Sequence, residues 1–302
     1  MLVIGSRGSA LALWQANYIA ARLRELGVES RIEIIKTTGD HLQTASAAVD
    51  AGKGLFTKEI EEALLAGVID LAVHSLKDLP TELPPGLAIA AIPEREDPRD
   101  ALVGHTLASL PLEARVGTSS LRRSAQLLHL RNDVRVLPIR GNVDTRLRKL
   151  RNGDYDAILL ASAGLRRLGL ATEIAEALSA DQICCAPGQG ALAVETLETG
   201  KPREICAALT HQESEVAVNC ERAVLAALGG GCQLPIGAFA DVTAGELNAV
   251  AVVASPDGKR LVRDRLTGSA GSPEELGREL AARLRARGAD ALLAALSPAV
   301  NP

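Results

Sequence analysis

The sequence predicts an α/β fold of two α/β domains joined by a hinge, plus a small C-terminal α+β domain. In the first two-thirds of the chain, short apolar runs alternate with helical patterns, which is typical of βαβ units and a largely parallel sheet. In the last third, three consecutive strand patterns precede one helical pattern. A charged, proline-bounded stretch at 93–98 and a Pro-Gly-Gln-Gly stretch at 187–190 indicate two crossings between domains.

Capping and periodicity define the elements of the first domain. A strand is predicted at 2–5, and Ser9 then caps a helix that runs to residue 26, where Gly27 supplies the stop. Thr57 is the predicted cap of a helix over 57–66. Residues 38–54 are polar without a clear period and are predicted to form a mobile loop. Further strands are predicted at 31–37, 69–73 and 87–92.

The second domain repeats the alternation of strand and helix, whereas the third changes character. In the second domain, strands are predicted at 115–117, 134–139 and 156–161, with helices after 118–120 and over 142–150. After the second crossing, a strand is predicted at 191–195 and helices around 205 and over 217–228. The C-terminal strands are predicted at 236–241, 247–254 and 260–266, before a helix over about 274–287. We therefore assign 1–94 with 190–208 to domain 1, 95–189 to domain 2 and 209–302 to domain 3.

The composition is that of a folded protein without a membrane segment. Of the 302 residues, 47% are hydrophobic and 23% charged, enough for a buried core in each domain. No apolar run approaches the length of about 18 residues that a membrane span needs, and the N-terminus lacks the pattern of a secretory signal. We expect a cytoplasmic protein with no membrane partner.

The five cysteines favour neither a disulfide framework nor a metal site. Cys184 and Cys185 are adjacent and the others lie far apart, without a CxxC spacing, so we expect no bound metal. Only Cys232 follows a glycine run, residues 229–231, which permits close approach by a bulky group. The alternative is a flexible helix terminator with an incidental cysteine.

Positive charge is concentrated in one segment of the chain. The net charge of −4 and the 2% aromatic content argue against a nucleic-acid partner. Residues 115–167, however, carry twelve basic side chains against four acidic ones. That segment is expected to bind anions.

Arginines follow three predicted strand ends of the second domain. Residues 117–123 form a strand-to-helix junction, where free backbone N–H groups favour an anion. Because ligands bind at the carboxyl ends of strands in open α/β sheets, we expect these side chains to converge. The alternative is a helix cap followed by solvated arginines. The three stretches contain Thr118, Ser119, Ser120, Arg122 and Arg123; Arg140, Gly141 and Arg146; and Arg166 and Arg167.

Two strand ends of the first domain carry further charged side chains, two cations and a carboxylate. Arg7 and Ser9 follow the first strand, and Lys77 and Asp78 follow the strand that ends at His74. A carboxylate among cations can stabilise developing positive charge and exchange a proton. The alternative is an exposed Lys–Asp pair that contributes little to stability. His74 is equally consistent with a structural role.

The chain resembles the porphobilinogen deaminase family in motifs that occur in the family's order over nearly its whole length. These motifs are RGS at 7–9, ALWQ at 12–15, GKGLFTKE at 52–59, HSLKD at 74–78, EREDPRD at 94–100, GTSSLRR at 117–123, RGNV at 140–143, TRL at 145–147, PGQGA at 187–191 and GGCQLPIG at 230–237.

The resemblance implies an enzyme that deaminates four porphobilinogen molecules and joins them head to tail into hydroxymethylbilane, releasing ammonia. It also implies a monomer, two domains like those of periplasmic binding proteins, and a dipyrromethane cofactor held by Cys232 through a thioether. Asp78 matches the catalytic carboxylate, and Phe56 lies on the lid. The implied cofactor ligands are Ser9, Lys77, Thr118, Ser119, Ser120, Arg122, Arg123, Arg140, Gly141 and Arg146. The implied substrate ligands are Arg7, Gln15, Arg140, Arg146, Arg167 and Gln189.

A non-enzymatic anion-binding protein on the same hinged scaffold is the alternative from another class. The absence of an export signal and the thiol on a glycine loop oppose that alternative. An RNA-binding function for the basic segment is weaker, because bases would find few aromatic side chains on which to stack.

Overall fold

The computed structural model describes residues 1–37, 57–231 and 233–295. The chain packs as two compact units, one of Met1–Glu96 with Gly190–Glu215 and one of Asp97–Gln189 with the chain from Val216 onward. The predicted mobile loop at 38–54, Phe56 and Cys232 lie outside the described residues. The division into three domains, with a boundary at 208–209, stays a prediction.

Strands and helices alternate through most of the chain, as the sequence predicts. The strands are β1 (Leu2–Ser6), β2 (Ser30–Ile34), β3 (Leu71–Ser75), β4 (Leu87–Ala91), β5 (Asp100–Val103), β6 (Arg115–Gly117), β7 (Arg135–Leu137), β8 (Ala157–Ala161), β9 (Ile174–Leu178), β10 (Leu192–Leu197), β11 (Ile236–Thr243), β12 (Glu246–Ala254) and β13 (Leu261–Ser269). The helices are α1 (Ala10–Glu25), α2 (Lys58–Leu65), α3 (Leu121–Leu130), α4 (Val143–Arg151), α5 (Ser162–Arg167), α6 (Lys201–Ala207), α7 (Gln212–Ala227), α8 (Pro273–Ala286) and α9 (Ala289–Ala294).

The first unit contains a mixed five-stranded sheet in the order β2-β1-β3-β10-β4. β1 runs parallel to β2 and β3, but β10 runs antiparallel to β3 and β4. The α/β class is confirmed, and the expectation of a largely parallel sheet is wrong. An apolar run predicts a buried strand without its direction, because direction depends on the route by which the chain re-enters the sheet.

The helices of the first unit begin close to where the sequence places them. The Ser9 side chain caps α1 by accepting from the Ala12 N–H, and Gly27 follows the helix with a φ of +75°. Thr57 precedes α2 but makes no capping hydrogen bond, so its predicted capping role is wrong. The unit's main core joins Ile19 of α1 to Ile4 and Leu71 of the sheet.

The second unit contains another mixed five-stranded sheet, in the order β7-β6-β8-β5-β9. β6 is parallel to β7 and β8, whereas β5 is antiparallel to β8 and β9. Neither β5 nor β9 is predicted from the sequence. β5 has only four residues and begins at a charged position, Asp100, so its pattern is too short to separate from the preceding crossing.

The C-terminal part of the second unit is an antiparallel meander, β11-β12-β13, that packs against α8. Leu247 and Val253 of β12 share its core with Leu280 and Leu284 of α8. The predicted small α+β module is therefore confirmed. In the described part of the chain, no helix combines the length and apolar character that crossing a membrane requires.

Candidate active site

A cavity of about 90 Å³ opens at the carboxyl ends of β1 and β3. These strands are parallel neighbours, so the segments that follow them meet at one edge of the sheet. Four predicted site residues line this cavity, namely Arg7, Ser9, Gln15 and Asp78. The structure therefore brings together side chains that lie as far as 71 positions apart in the sequence.

The Asp78 carboxylate is presented by a short 3₁₀ turn, Leu76–Asp78. Leu76 is fully buried, and its backbone N–H donates to the carbonyl oxygen of Ala191 at 3.0 Å, which anchors the turn to the strand end. Asp78 is exposed and Lys77 is half-buried. The Gln15 amide donates to the Ser75 hydroxyl at 2.9 Å, so the α1 helix is tied to the same strand end.

The three hydroxyls at the β6–α3 junction hold the loop in place. Thr118 Oγ1 accepts from the Ser120 N–H, and the Ser120 hydroxyl caps α3. Ser119 Oγ donates to the Ile139 carbonyl at 2.9 Å and accepts from the Ile139 N–H, which links the ends of β6 and β7. The alternative of a simple helix cap therefore explains part of this motif.

Arg122 and Arg123 both converge on a buried carboxylate, Asp100. Arg122 Nη1 lies 2.6 Å from Asp100 Oδ2, and Arg123 Nε lies 2.8 Å from Asp100 Oδ1. The Gln189 amide also donates to Asp100, at 2.9 Å. Burial alone would raise the pKa of Asp100, but the two guanidinium groups outweigh burial and hold that pKa well below its usual range.

Asp100, the centre of this network, is not among the site residues predicted from the sequence. Its position at the end of the EREDPRD stretch is a signal, because an acid that begins a buried strand needs a partner. The prediction that Arg122 and Arg123 contact bound carboxylates is untested, but much of their hydrogen-bonding capacity is directed at Asp100, at Cys184 O and at Leu159 O.

Arg140 and Arg146 differ from this pair. In the part of the chain that the structure describes, neither forms an ion pair with a carboxylate, and Arg146 Nε donates only to the Gly141 carbonyl, at 2.8 Å. Burial lowers the pKa of Arg146 to about 10, with the nearby Arg123 charge adding to the effect. The ends of two predicted strands therefore place the Arg123 and Arg146 charges close together. Arg167 is buried at the end of α5.

Two models of one family cover nearly all of the chain. The model described as "Porphobilinogen deaminase, dipyromethane cofactor binding domain" matches residues 2–204, and the model of the C-terminal domain of porphobilinogen deaminase matches residues 216–286. The chain belongs to the porphobilinogen deaminase family.

Curated relatives in the deaminase family match the chain from end to end. The porphobilinogen deaminase of Methylobacillus flagellatus is 51% identical over 301 residues, covering 98% of this chain and 97% of the relative. That of Syntrophotalea carbinolica is 50% identical and covers 100% of this chain and 98% of the relative. Among solved structures, an ABC-transporter periplasmic substrate-binding protein from Coxiella burnetii is 13% identical, with a TM-score of 0.43 over 69% of this chain and 92% of its own.

The chemistry of the donor set fits the dipyrromethane group of the deaminase family. That group carries acetate and propionate side chains, and planar guanidinium is a suitable partner for carboxylates. Arg140 is exposed and Arg146 is half-buried, and neither has a carboxylate partner among residues 1–37, 57–231 and 233–295. The backbone of Gly141 has a φ of +112°, and a Cβ atom there would meet Thr145 at 2.7 Å, so the loop between the two arginines requires glycine.

The described cysteines are all buried. Burial raises the pKa of Cys206 to about 12, and it does the same for Cys220. Cys184 and Cys185 are also buried. No group of three or more His, Cys, Asp or Glu side chains suited to a metal ion occurs within the described ranges. These four thiols are therefore shielded from the chemistry expected of Cys232.

Proposed function

We propose that this chain is a transferase that deaminates four porphobilinogen molecules and joins them head to tail into hydroxymethylbilane, with release of ammonia. The observation that carries the proposal is the cavity at the β1 and β3 ends, where Asp78 lies with Arg7 and Ser9 in a chain that matches both deaminase models. A carboxylate beside a guanidinium suits a substrate with both a basic amine and acidic side chains.

We propose that Cys232 holds a dipyrromethane group through a thioether. When bound, this group supplies the free pyrrole position at which chain growth begins. The structure describes the loop up to Gly231 and resumes at Gln233, between α7 and β11. The cofactor ligands that we propose are Ser9, Lys77, Thr118, Ser119, Ser120, Arg122, Arg123, Arg140, Gly141 and Arg146.

The contacts of the arginines support different roles for them in this proposal. Arg140 and Arg146 are the direct partners of the cofactor and substrate carboxylates, because the described chain supplies them with no carboxylate of its own. Arg122 and Arg123 are shared with Asp100, which keeps the β6–α3 junction rigid while leaving one net positive charge beside it. The remaining proposed substrate ligands are Arg7, Gln15, Arg167 and Gln189.

We propose that Asp78 exchanges a proton with the aminomethyl nitrogen of porphobilinogen. Loss of ammonia leaves a cationic intermediate, which an adjacent carboxylate stabilises electrostatically. Asp78 is exposed at the cavity, so its carboxylate can reach a bound substrate. A positioned general acid–base group contributes about 10²–10⁴-fold to a rate. A cytoplasmic, monomeric enzyme without nucleic-acid or membrane partners remains a prediction.

Intact-mass measurement of the purified protein tests the proposal. We expect the polypeptide mass plus two pyrrole units, with further pyrrole increments and released ammonia when porphobilinogen is added. Cys232→Ser should lose the two-unit adduct, whereas Cys206→Ser, a matched change at a buried thiol, should keep it. A wild-type mass equal to that of the bare polypeptide, with porphobilinogen bound but no ammonia released, would instead favour the anion-binding alternative.

A further inference from the structure

A buried histidine–glutamate pair lies behind the cavity that holds Asp78. His74 Nε2 is 2.9 Å from Glu195 Oε2, and the two side chains are only 6% and 0% exposed. His74 is on β3, two residues before the turn that carries Asp78, and Glu195 is on the antiparallel neighbour β10. Because Ala193 pairs with His74, Glu195 lies two residues along β10 on the same face of the sheet.

The two nitrogen atoms of the His74 ring have different surroundings. Nε2 faces the Glu195 carboxylate, whereas Nδ1 has no hydrogen-bond partner among the described residues. His74 also forms part of the wall of the cavity, together with Arg7, Ser75 and Asp78. A carboxylate that accepts from one ring nitrogen fixes the tautomer and leaves the other nitrogen with a free lone pair.

A third titratable group joins this pair from α2. Burial raises the pKa of the Glu61 carboxyl, and the charge of Glu195 adds to the increase whereas that of His74 opposes it. Glu61 Oε1 and Glu195 Oε1 are both buried with no hydrogen-bond partner in the described structure. Unsatisfied buried carboxylate oxygens cost stability, so a cluster built for packing alone would not be expected to keep them.

We propose that Glu195 holds the proton of His74 on Nε2, so that Nδ1 serves as a second proton acceptor in the cavity that contains Asp78. This inference rests on the proposed function. Among the described residues, the charged and titratable groups next to the ring or in the same cavity wall are Glu195 from β10, Glu61 from α2, Arg7 after β1 and Asp78 after β3.

The reaction requires such an acceptor because every elongation step displaces a proton. The ring carbon that has formed the new carbon–carbon bond gives up its proton, and the electron pair of that C–H bond returns to the pyrrole ring. The proton passes through Asp78 or a cavity water to Nδ1, and Glu195 balances the charge of the resulting imidazolium. At the next cleavage the amine nitrogen takes this proton and the electron pair of the C–N bond, and leaves as ammonia. A cavity of about 90 Å³ has room for the waters of this relay.

Nitrogen NMR of the wild-type protein tests the tautomer without depending on activity. We expect the neutral His74 ring, assigned by through-bond correlation from the backbone, to carry its proton on Nε2. In Glu195→Gln the preference for the Nε2 tautomer should weaken. A neutral ring protonated on Nδ1, or a ring that stays doubly protonated up to pH 9, would overturn the proposal.

Kinetics test the role of the ring in turnover. His74→Gln should lower kcat by about 100-fold, the usual contribution of an acid–base group, and change KM by less than about threefold. The fall of kcat at acidic pH should be weaker in His74→Gln than in the wild type, because the variant lacks the group that must lose a proton there. Glu62→Gln, an exposed change on α2, is the matched control and should keep wild-type kinetics.

The outcomes separate this inference from the proposed function. If Asp78→Asn is inactive but His74→Gln, with a wild-type melting temperature and adduct mass, turns over normally, the role of His74 is rejected and the proposed function stands. If the wild-type protein carries no adduct and releases no ammonia, the proposed function fails first, whatever the NMR shows. A loss of kcat in His74→Gln that merely follows a loss of folded protein would assign the pair to structure.

Discussion

Arg123 donates its Nε to Asp100 Oδ1 across 2.8 Å, and both side chains are buried. Asp100 also binds Arg122, so one carboxylate neutralises two guanidinium groups only in part. Burial lowers the pKa of Arg146, and the nearby Arg123 charge lowers that pKa further. The unit that carries the arginine-rich strand ends therefore keeps a built-in excess of positive charge.

Asp100→Asn should strongly destabilise the protein. The amide removes the negative charge of Asp100 while both guanidinium groups remain, and breaking a buried pair in this way costs about 3–5 kcal/mol. Urea unfolding monitored by circular dichroism measures the change. Asp154→Asn, at an exposed site, is the control and should leave the midpoint unchanged. Equal midpoints for the two variants would show that Asp100 contributes little to stability.

Arg140→Leu and Arg122→Leu should differ in their effects on stability. Arg140 is exposed and has no ion pair among the described residues, so its loss should spare the melting temperature and slow cofactor assembly or elongation. Arg122 is buried against Asp100 and Cys184 O, so its loss should lower the melting temperature by several degrees. Differential scanning calorimetry measures the melting temperature of each variant, and intact mass measures its cofactor assembly. Arg122→Leu with wild-type stability would mean that the network tolerates the loss.

Asp78→Asn should keep the fold and lose most of the turnover. The side chain is exposed and its nearest structural anchor, Leu76, is unchanged, so we expect the same melting temperature. Removing a general acid–base group should lower kcat by about 10²–10⁴ while porphobilinogen still binds. Ammonia release in a steady-state assay measures this, and Glu82→Gln is a control on the same segment. Near-normal turnover would exclude Asp78 from the chemistry.

Asp156 should contribute stability that disappears in acid. The hydrogen bond from the Arg115 side chain lowers the pKa of Asp156 to about 2. Because this pKa is below the unfolded value of about 4, the contribution is present above pH 4 and is lost as the pH falls toward 2. The melting temperature of Asp156→Asn should therefore be below that of the wild type at pH 6, and the two should converge near pH 2. A difference that is the same at every pH would point to packing instead of charge. The two side chains are partly exposed, so the effect should be modest.

Gly258→Ala should be far more damaging than Gly245→Ala. Both glycines have a positive φ, +71° and +83°, so both substitutions carry backbone strain of about 1–2 kcal/mol. A Cβ atom at 258 would in addition meet the His129 backbone nitrogen at 2.7 Å, whereas a Cβ at 245 would meet nothing within 4 Å. Thermal unfolding of the pair measures the difference, and similar melting temperatures would show that the β12–β13 turn can move away from α3.

The sequence alone determined the α/β class, the small α+β module and most helix starts. These features depend on local information, since α1, α3 and α4 are each capped by the side chain of the residue just before the helix. The caps are Ser9, Ser120 and Asn142. The motifs also identified Arg7, Ser9, Gln15 and Asp78, which the structure places in one cavity. Parallel neighbouring strands end at the same sheet edge, so residues after such strands can be grouped before any coordinates exist.

Only the tertiary structure decided which charges are already paired. Asp100 and Arg123 are 23 residues apart, and His74 and Glu195 are 121 residues apart, so no local pattern joins them. The antiparallel direction of β10 brings Glu195 beside His74, and strand direction is not written in an apolar run. An arginine that binds a ligand and one that neutralises a buried aspartate have the same letter in the sequence. Their roles differ because burial and the nearest carboxylate set the energy of each charge.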